Sequence, residues 1–294
     1  MRRQIMTEVP VSRFAVWARR IALFSLAATL IAVIIVRSGA LEIVPALSTL
    51  AGALVLACLA ILLAFAAGVV IWRHGTGGGR QAVTALLIGA ALIAYPLYLG
   101  ARASRLPAIY DITTDPIDPP QFDAIARLRP RDANPITYAG LYAAELQHSA
   151  YPDIEPDDTT ATPQDAYNAT MKVITRRRWR VVDSRPPQGP LPRVIDTRAS
   201  QTATARDGII EAVARTPILG FRDDIVVRIR PTVDGARIDV RSASRYGRHD
   251  LGTNAKRVRS LIDDIDDVLS TPQPEKKPAA PPPKPAGKGN QAKR

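Results

Sequence analysis

The residue types best suited to chemistry gather near one end of the chain. His249 and Asp250 stand side by side, as an imidazole oriented by a carboxylate would for general-base work, and Ser242 and Ser244 lie just before them. Earlier, Arg228, Arg230, Arg237 and Arg241 alternate with apolar residues, Arg245 follows, and Asp239 is the one acid on the same two strands. Guanidinium groups so placed are suited to an anion, and Arg228, Arg230, Arg241 and Arg245 are the candidate anion-binding residues. The acid pairs Asp157-Asp158 and Asp223-Asp224 carry ligand types for a hard cation, although solvated loops account for them more simply.

Several chemistries lack their signatures. The chain has no nucleophile elbow, no Ser-x-x-Lys, no His-Glu-x-x-His and no paired metal-ligand spacing. It holds three histidines and one cysteine, Cys58, inside an apolar run, so neither a disulfide framework nor a zinc site is expected, and no cofactor is implied. A helix cap is the simplest role for Asp250 and solvent exposure the simplest for His249. A hydrolase-type enzyme using His249 and Asp250 stands as an alternative.

The elements that must position these groups are legible. Ile225, Val227 and Ile229 alternate with Val226, Arg228 and Arg230, the period of a half-buried strand. Asp234-Gly235 offers a two-residue turn. The return strand puts Ile238 and Val240 on one face and Arg237, Asp239 and Arg241 on the other. With that turn Ile229 faces Val240, Arg230 faces Asp239, and Arg228 faces Arg241 on an outward face. A like-charge pair destabilises a sheet, so either Asp239 and Glu211 neutralise it or an anion does. Val258, Leu261, Ile262, Ile265, Val268 and Leu269 then form one helical stripe, with Asp250 as its expected N-cap.

Charge is unevenly spread. Of the net +12, residues 1–105 carry 10 Arg against 2 Glu, residues 271–294 carry 6 Lys or Arg against 1 Glu, and residues 106–270 hold 23 basic against 24 acidic groups. A basic balance confined to membrane flanks and a tail points to topology rather than to nucleic acid, which is not expected as a partner. Three apolar runs, about 14–36, 43–71 and 82–99, are long enough to span, the first if Arg19 and Arg20 snorkel. A cleaved signal peptide ending near Ser38-Gly39-Ala40 is the competing reading of the first. Five arginines before Ile21, with Arg73 and Arg80, outnumber Arg37, Arg102 and Arg105. The N-terminus is thus expected in the cytoplasm and the chain after residue 100 outside. No charge lies within the three cores, which argues for an anchor rather than a transporter. Gly75 to Arg80 is expected to be a linker between spans, since it lacks the Lys-Ser/Thr pair of a phosphate loop.

Pro107 to Ala161 is dense in proline and short of helical period, so an extended segment crossing the domain surface is expected. Four ordered motifs carry a resemblance: ITTDPIDPPQF at 112–122, YPDIEP at 151–156, GFRDDIVVRIRP at 220–231 and DVRSASRYGRHDLGTNAKRVRSLI at 239–262. Together they resemble the domain-of-unknown-function family numbered 1499, over about residues 105–268. The resemblance implies a domain that often follows membrane spans in bacterial chains. It supplies no assigned reaction and no catalytic residue.

Thr162-Pro163-Gln164-Asp165 has the form of a helix start, with Tyr167, Met171 and Ile174 as its apolar edge. Arg178–Asp183, Arg193–Thr204 and Gly208–Arg215 are further strand candidates. The expected architecture is three N-terminal transmembrane helices (1–105), then an α+β domain (106–270) with an antiparallel sheet of four to five strands and two helices. A Pro/Lys-rich tail (271–294) with too few apolar residues for a core is expected to be disordered. The expected function is a periplasmic-side binding or interaction module anchored in the inner membrane of a bacterial envelope. Its expected partners are the lipid bilayer and an anionic envelope ligand or a membrane protein, with a structural subunit of a membrane complex as a further alternative.

Overall fold

Residues 9–39, 43–188 and 206–271 are described by a computed structural model. The three apolar runs form α1 (Arg13–Ser38), α2 (Ile43–His74) and α3 (Gly79–Ala103), each long and apolar enough to cross a membrane. Small residues make their mutual contacts: Ala15, Ala18 and Ala22 of α1, Ala57, Ala60 and Ala64 of α2, and Ala82 and Ala85 of α3 are all buried. The large side chains point the other way, with Phe24, Ile34, Leu62, Phe65 and Leu87 exposed. Such an inside-out distribution suits a hydrocarbon surround, where helices associate through close packing of small residues. Ser25 donates its hydroxyl to the Ala53 carbonyl at 2.7 Å, so the polar group is satisfied within the bundle. The loop between α2 and α3 is a linker, whose Gly77 exchanges backbone hydrogen bonds with Pro10 and Ser12 ahead of α1.

The remaining elements are β1 (Asp111–Thr113), α4 (Ala124–Leu128), α5 (Leu141–Ala150), β2 (Asp157–Thr159), α6 (Pro163–Arg176), β3 (Arg180–Arg185), β4 (Gly208–Arg215), β5 (Arg222–Pro231), β6 (Ala236–Ser244) and α7 (Thr253–Ser270). The strands form one antiparallel sheet in the order β1-β6-β5-β4-β3, with β2 also paired to β6. β1 pairs with Arg241–Ala243 and β2 with Ala236–Ile238, so two three-residue strands from the proline-rich segment share one edge of β6. They cover backbone groups that would otherwise template association. The strand expected over Arg193–Thr204 and the tail beyond Thr271 lie outside the described residues.

One sheet face carries Ile210, Ile225, Val227, Ile229, Ile238 and Val240 against Val173 and Ile174 of α6 and Val258, Leu261 and Ile265 of α7. Each such side chain contributes about 1.5–3 kcal/mol when fully buried. α6 begins as expected, with the Thr162 hydroxyl accepting from the Asp165 amide at 3.1 Å and Pro163 in the first turn. The other face is covered as well, by residues 115–138, from which Phe122 and Ile125 pack on Val213, Val226 and Ala243. Glu211, buried on this face, caps α4 from a distant strand: its carboxylate accepts from the amides of Asp123, Ala124 and Ile125 at 2.8–3.0 Å. It is therefore spent on a helix terminus rather than on the hairpin arginines.

The β5–β6 register corrects the expectation. Pro231 pairs with Ala236, leaving a four-residue connection, Thr232–Gly235, closed by the Thr232 amide donating to the Gly235 carbonyl at 3.0 Å. Arg228 accordingly faces Asp239, Arg241 faces Val226, and Arg230 faces Arg237. A slip of two residues preserves the apolar alternation, so periodicity alone does not distinguish the two registers. Cross-strand charge does not separate them either, since the observed register exchanges the Arg228–Arg241 pair for Arg230–Arg237. Close packing bears on the choice, because a Cβ on Gly235 would lie 2.1 Å from the Thr159 carbonyl oxygen. Gly235→Ala should therefore destabilise the fold by about 1–3 kcal/mol in chemical unfolding, and Val233→Ala, at a fully exposed position of the same turn, by less than about 0.5 kcal/mol.

β2 also meets α7 through acids. Burial first, and then the neighbouring Asp266 carboxylate, push Asp157 up from 3.8 to about 6. A raised carboxyl binds its proton more tightly in the folded state, so its contribution is present at low pH and lost as pH rises through about 6. Asp157→Asn should gain stability relative to the wild type between about pH 4 and about pH 7, read as the difference between paired unfolding curves. A constant difference would contradict this.

Candidate functional site

The hairpin arginines sit under the 115–138 segment, whose acids meet them. Asp239, fully buried, receives Arg228, Arg230 and Arg237 at 3.1, 2.8 and 3.2 Å. Asp118 takes Arg228 and Arg230 at 3.0 and 3.1 Å, and Asp115 takes Arg230 and Arg237 at 3.0 and 3.4 Å. Three guanidinium groups thus face three carboxylates, and the like pair Arg230–Arg237 is bridged by Asp115. The expected outward face carries a paired network that the proline-rich strap partly covers, with Arg228 and Asp239 buried, Arg230 and Arg237 half-buried and Asp118 exposed.

Arg241 is still deeper, with no exposed surface. It forks onto Asp111 at 3.0 and 2.7 Å and donates to the carbonyls of Pro120 and Ile136 at 3.0 and 2.7 Å. The Phe122 and Tyr138 rings lie 4.8 and 5.6 Å from the guanidinium carbon. Arg245 forks onto Asp224 at 2.9 and 2.7 Å, and Arg129 approaches the same carboxylate at 3.2 Å. Burial pushes the Asp111 and Asp224 carboxyls upward, and the arginines oppose it. Of the four candidate anion-binding residues, Arg241 and Arg245 are buried in ion pairs, while Arg228 and Arg230 belong to the three-by-three network.

His249 and Asp250 are engaged with backbone. The Leu251 amide donates to His249 Nδ1 at 3.1 Å, which places the proton on Nε2, and Nε2 donates to the carbonyls of Ala103 and Leu106 at 3.0 Å each. Asp250 accepts from the amides of Gly252 and Asn254 at 2.9 and 2.7 Å. It thus serves the first turn of α7 from beyond the Gly252 boundary. Ser242 and Ser244 bond to Asn254 at 2.9 and 3.0 Å instead of to the imidazole. Among the described residues no cluster of three or more His, Cys, Asp or Glu is placed to hold a metal ion.

The open concavity lies where the domain meets the ends of α1, α2 and α3. His249 ties the α7 entry to the exit of α3. Arg37, at the end of α1, donates to the carbonyls of Pro217 and Ile218 in the β4–β5 turn, the latter at 3.0 Å. Gly220 in that turn has φ 70°, and a Cβ there would come within 3.2 Å of Arg37 Cγ, so glycine allows both the turn and the close approach. Between these ties opens a cleft of about 660 Å³. Its walls are Val36, Arg37, Ile43 and Ala46 from the helices, and Arg131, Asp132, Arg222, Arg245 and Tyr246 from the domain. A second cleft of about 390 Å³, towards α3, shares Phe221, Arg222 and Tyr246 with it and includes His249.

The periodicity that marks β4 and β5 did not single out Arg222. Its signal is pairing: Arg215 and Arg222 stand opposite each other on β4 and β5. Burial first, and then the cations Arg215, Arg245 and Arg180, hold the Arg222 pKa below the usual value, with Tyr246 opposing them. Among the described residues no carboxylate pairs with Arg222.

Three helices long and apolar enough to cross a membrane thus precede a six-stranded α+β domain, tied to it through Arg37 and His249. The family described as Protein of unknown function (DUF1499) matches residues 111–265, more than half of the chain, and the chain belongs to that family. No curated protein and no solved structure matches it.

The buried pair sets a stability expectation. Arg241→Ala leaves Asp111 and two carbonyls unpaired and should cost about 3–5 kcal/mol. The double variant Asp111→Leu with Arg241→Met, which removes both charges, should cost less than the single one. Chemical unfolding of the purified chain in detergent checks the order; a costlier double variant would contradict it.

Proposed function

We propose that this protein is an extracytoplasmic binding module of the bacterial inner membrane, held at the membrane plane by its three helices and acting by recognition of an anionic partner. The observation that carries this reading is the contrast between the two arginine sets. Those of the hairpin are matched by acids. Those at the helix-proximal end are exposed, with Arg215 opposite Arg222 and Arg180 nearby, and no carboxylate among the described residues pairs with Arg222. Like charges left opposed on a sheet are unfavourable, and an anion would remove that cost. Arg230 stands eight residues along β5 from Arg222, roughly 25 Å at the rise of an extended strand, so the anion site moves from the hairpin to the membrane end. The position of arginines around the three spans supports a cytoplasmic N-terminus and a periplasmic domain.

Val233 at the tip of the hairpin is fully exposed, and Cys58 is the chain's single cysteine. In a Cys58→Ser background, Val233→Cys should react with a membrane-impermeant thiol reagent added to cells whose outer membrane alone is permeabilised. Labelling only after the inner membrane is broken would overturn the orientation.

A further inference from the structure

The larger cleft has two unlike walls. Val36, Ile43 and Ala46 at the helix ends make one wall apolar, and Arg131 and Arg222 of the domain make the other cationic, with Arg37 between them. The acid of the lining, Asp132, lies 3.4 Å from the Tyr246 hydroxyl, and Arg245 is already spent on Asp224. Arg131 and Arg222 have no ion pair or side-chain hydrogen bond among the described residues, and Arg37 is held by backbone carbonyls. Among the described residues, positive charge therefore exceeds negative charge on the open surface.

A separate observation lies behind that surface. Arg129, next in the chain to the cleft residues Pro130 and Arg131, has a side chain only 5 % exposed. Asp224 pairs with its Nε, yet none of its guanidinium nitrogens has a hydrogen-bond partner. Arg129, Arg241 and Arg245 are thus three buried cations served by two buried carboxylates, Asp111 and Asp224. The cationic surplus extends into the domain beneath the cleft. Desolvation of a surplus charge is costly, and a counter-anion in the cleft would offset it.

We infer that this cleft seats the headgroup phosphate of an anionic phospholipid, with Arg222 as its main phosphate-binding residue and Arg37 and Arg131 flanking it. A guanidinium fork matches two non-bridging phosphate oxygens. The apolar wall continues into the helix surfaces, where Ile34 and Val44 are exposed, and the acyl chains follow that surface into the bilayer. A soluble anion would use the arginines alone and leave the apolar wall wet, so the lipid uses both. The inference rests on the reading of the domain as an anion-binding module at the membrane plane.

The test uses the full chain in nanodiscs of phosphatidylcholine, with phosphatidylglycerol as a minor component in one arm and inorganic phosphate added to pure phosphatidylcholine discs in the other. Lipid retained after extraction is read by native mass spectrometry, and phosphate binding by calorimetry. Phosphatidylglycerol should be retained over phosphatidylcholine, and Arg222→Gln should weaken that retention on the order of tenfold. Arg222→Lys should keep part of it, and Lys172→Gln, the same charge loss at an exposed site on α6, all of it. Because Arg222 is exposed, an unchanged Tm confirms that the variant is folded. Equal retention of the two lipids, or retention indifferent to Arg222→Gln, overturns the inference. If inorganic phosphate binds through Arg222 while no lipid preference is seen, the headgroup assignment falls and the anion-binding reading stands. If neither binds, both fall.

Discussion

The fork of Arg241 onto Asp111 is the interaction on which the domain's layering depends. A guanidinium with no exposed surface must have its donors satisfied inside the protein. Asp111, Pro120 and Ile136 provide the acceptors. All three belong to the segment that leads from the membrane helices into the domain. The demand of one β6 side chain thus fixes β1 at the sheet edge and draws the following residues across the sheet face. Once that strap is in place, Asp115 and Asp118 lie over Arg228, Arg230 and Arg237, and the α4 amides reach Glu211. A proline-rich strap suits this work, since it offers carbonyls and side chains without needing a backbone ladder of its own.

The same strap connects the domain to its anchor. Residues 103–110 lead from the end of α3 to β1, and His249 holds the start of that stretch while Asn254 donates to the Tyr110 carbonyl at 2.9 Å. Arg37 holds the other side of the domain to the end of α1. Two ties on different helices restrict tilting of the domain, and so preserve a cleft whose walls come from both parts. A domain on a flexible tether would not keep such a concavity. Both imidazole nitrogens of His249 are committed to backbone groups, which fixes the ring in place.

The sequence made the architecture legible where one periodic signal decided it: the apolar runs, the alternation of β5 and β6, the stripe of α7 and the Thr162 cap all have direct structural counterparts. The sheet also takes in two short strands that flank the strap in the proline-rich segment, β1 and β2. β1 and β2 have three residues each, too few to show alternation, and they are strands because β6 offers an unpaired edge. Register was illegible for a related reason. Moving Arg228 from Arg241 to Asp239 is a two-residue slip, which leaves every apolar residue on its own face. The close approach of Thr159 to Gly235 bears on the choice of pairing, and it is not local to the hairpin.

The candidate site was hidden by the same non-locality. Conspicuous arginine spacing in the hairpin marked a face whose charges are matched by Asp239 on the hairpin and by Asp115 and Asp118, more than 100 residues earlier. Arg222 is inconspicuous in the chain, flanked by Phe221 and the acids Asp223 and Asp224. Yet Asp223 turns to Arg257 and Asp224 to Arg245, both inside the domain. The alternation of the strand sends those carboxylates to opposite faces and leaves Arg222 at the mouth of the sheet among cations. Local acidity in sequence therefore becomes local basicity in space. Charge at a surface is decided by which neighbours are consumed internally, and at this end of the sheet the acids are consumed while the arginines are left.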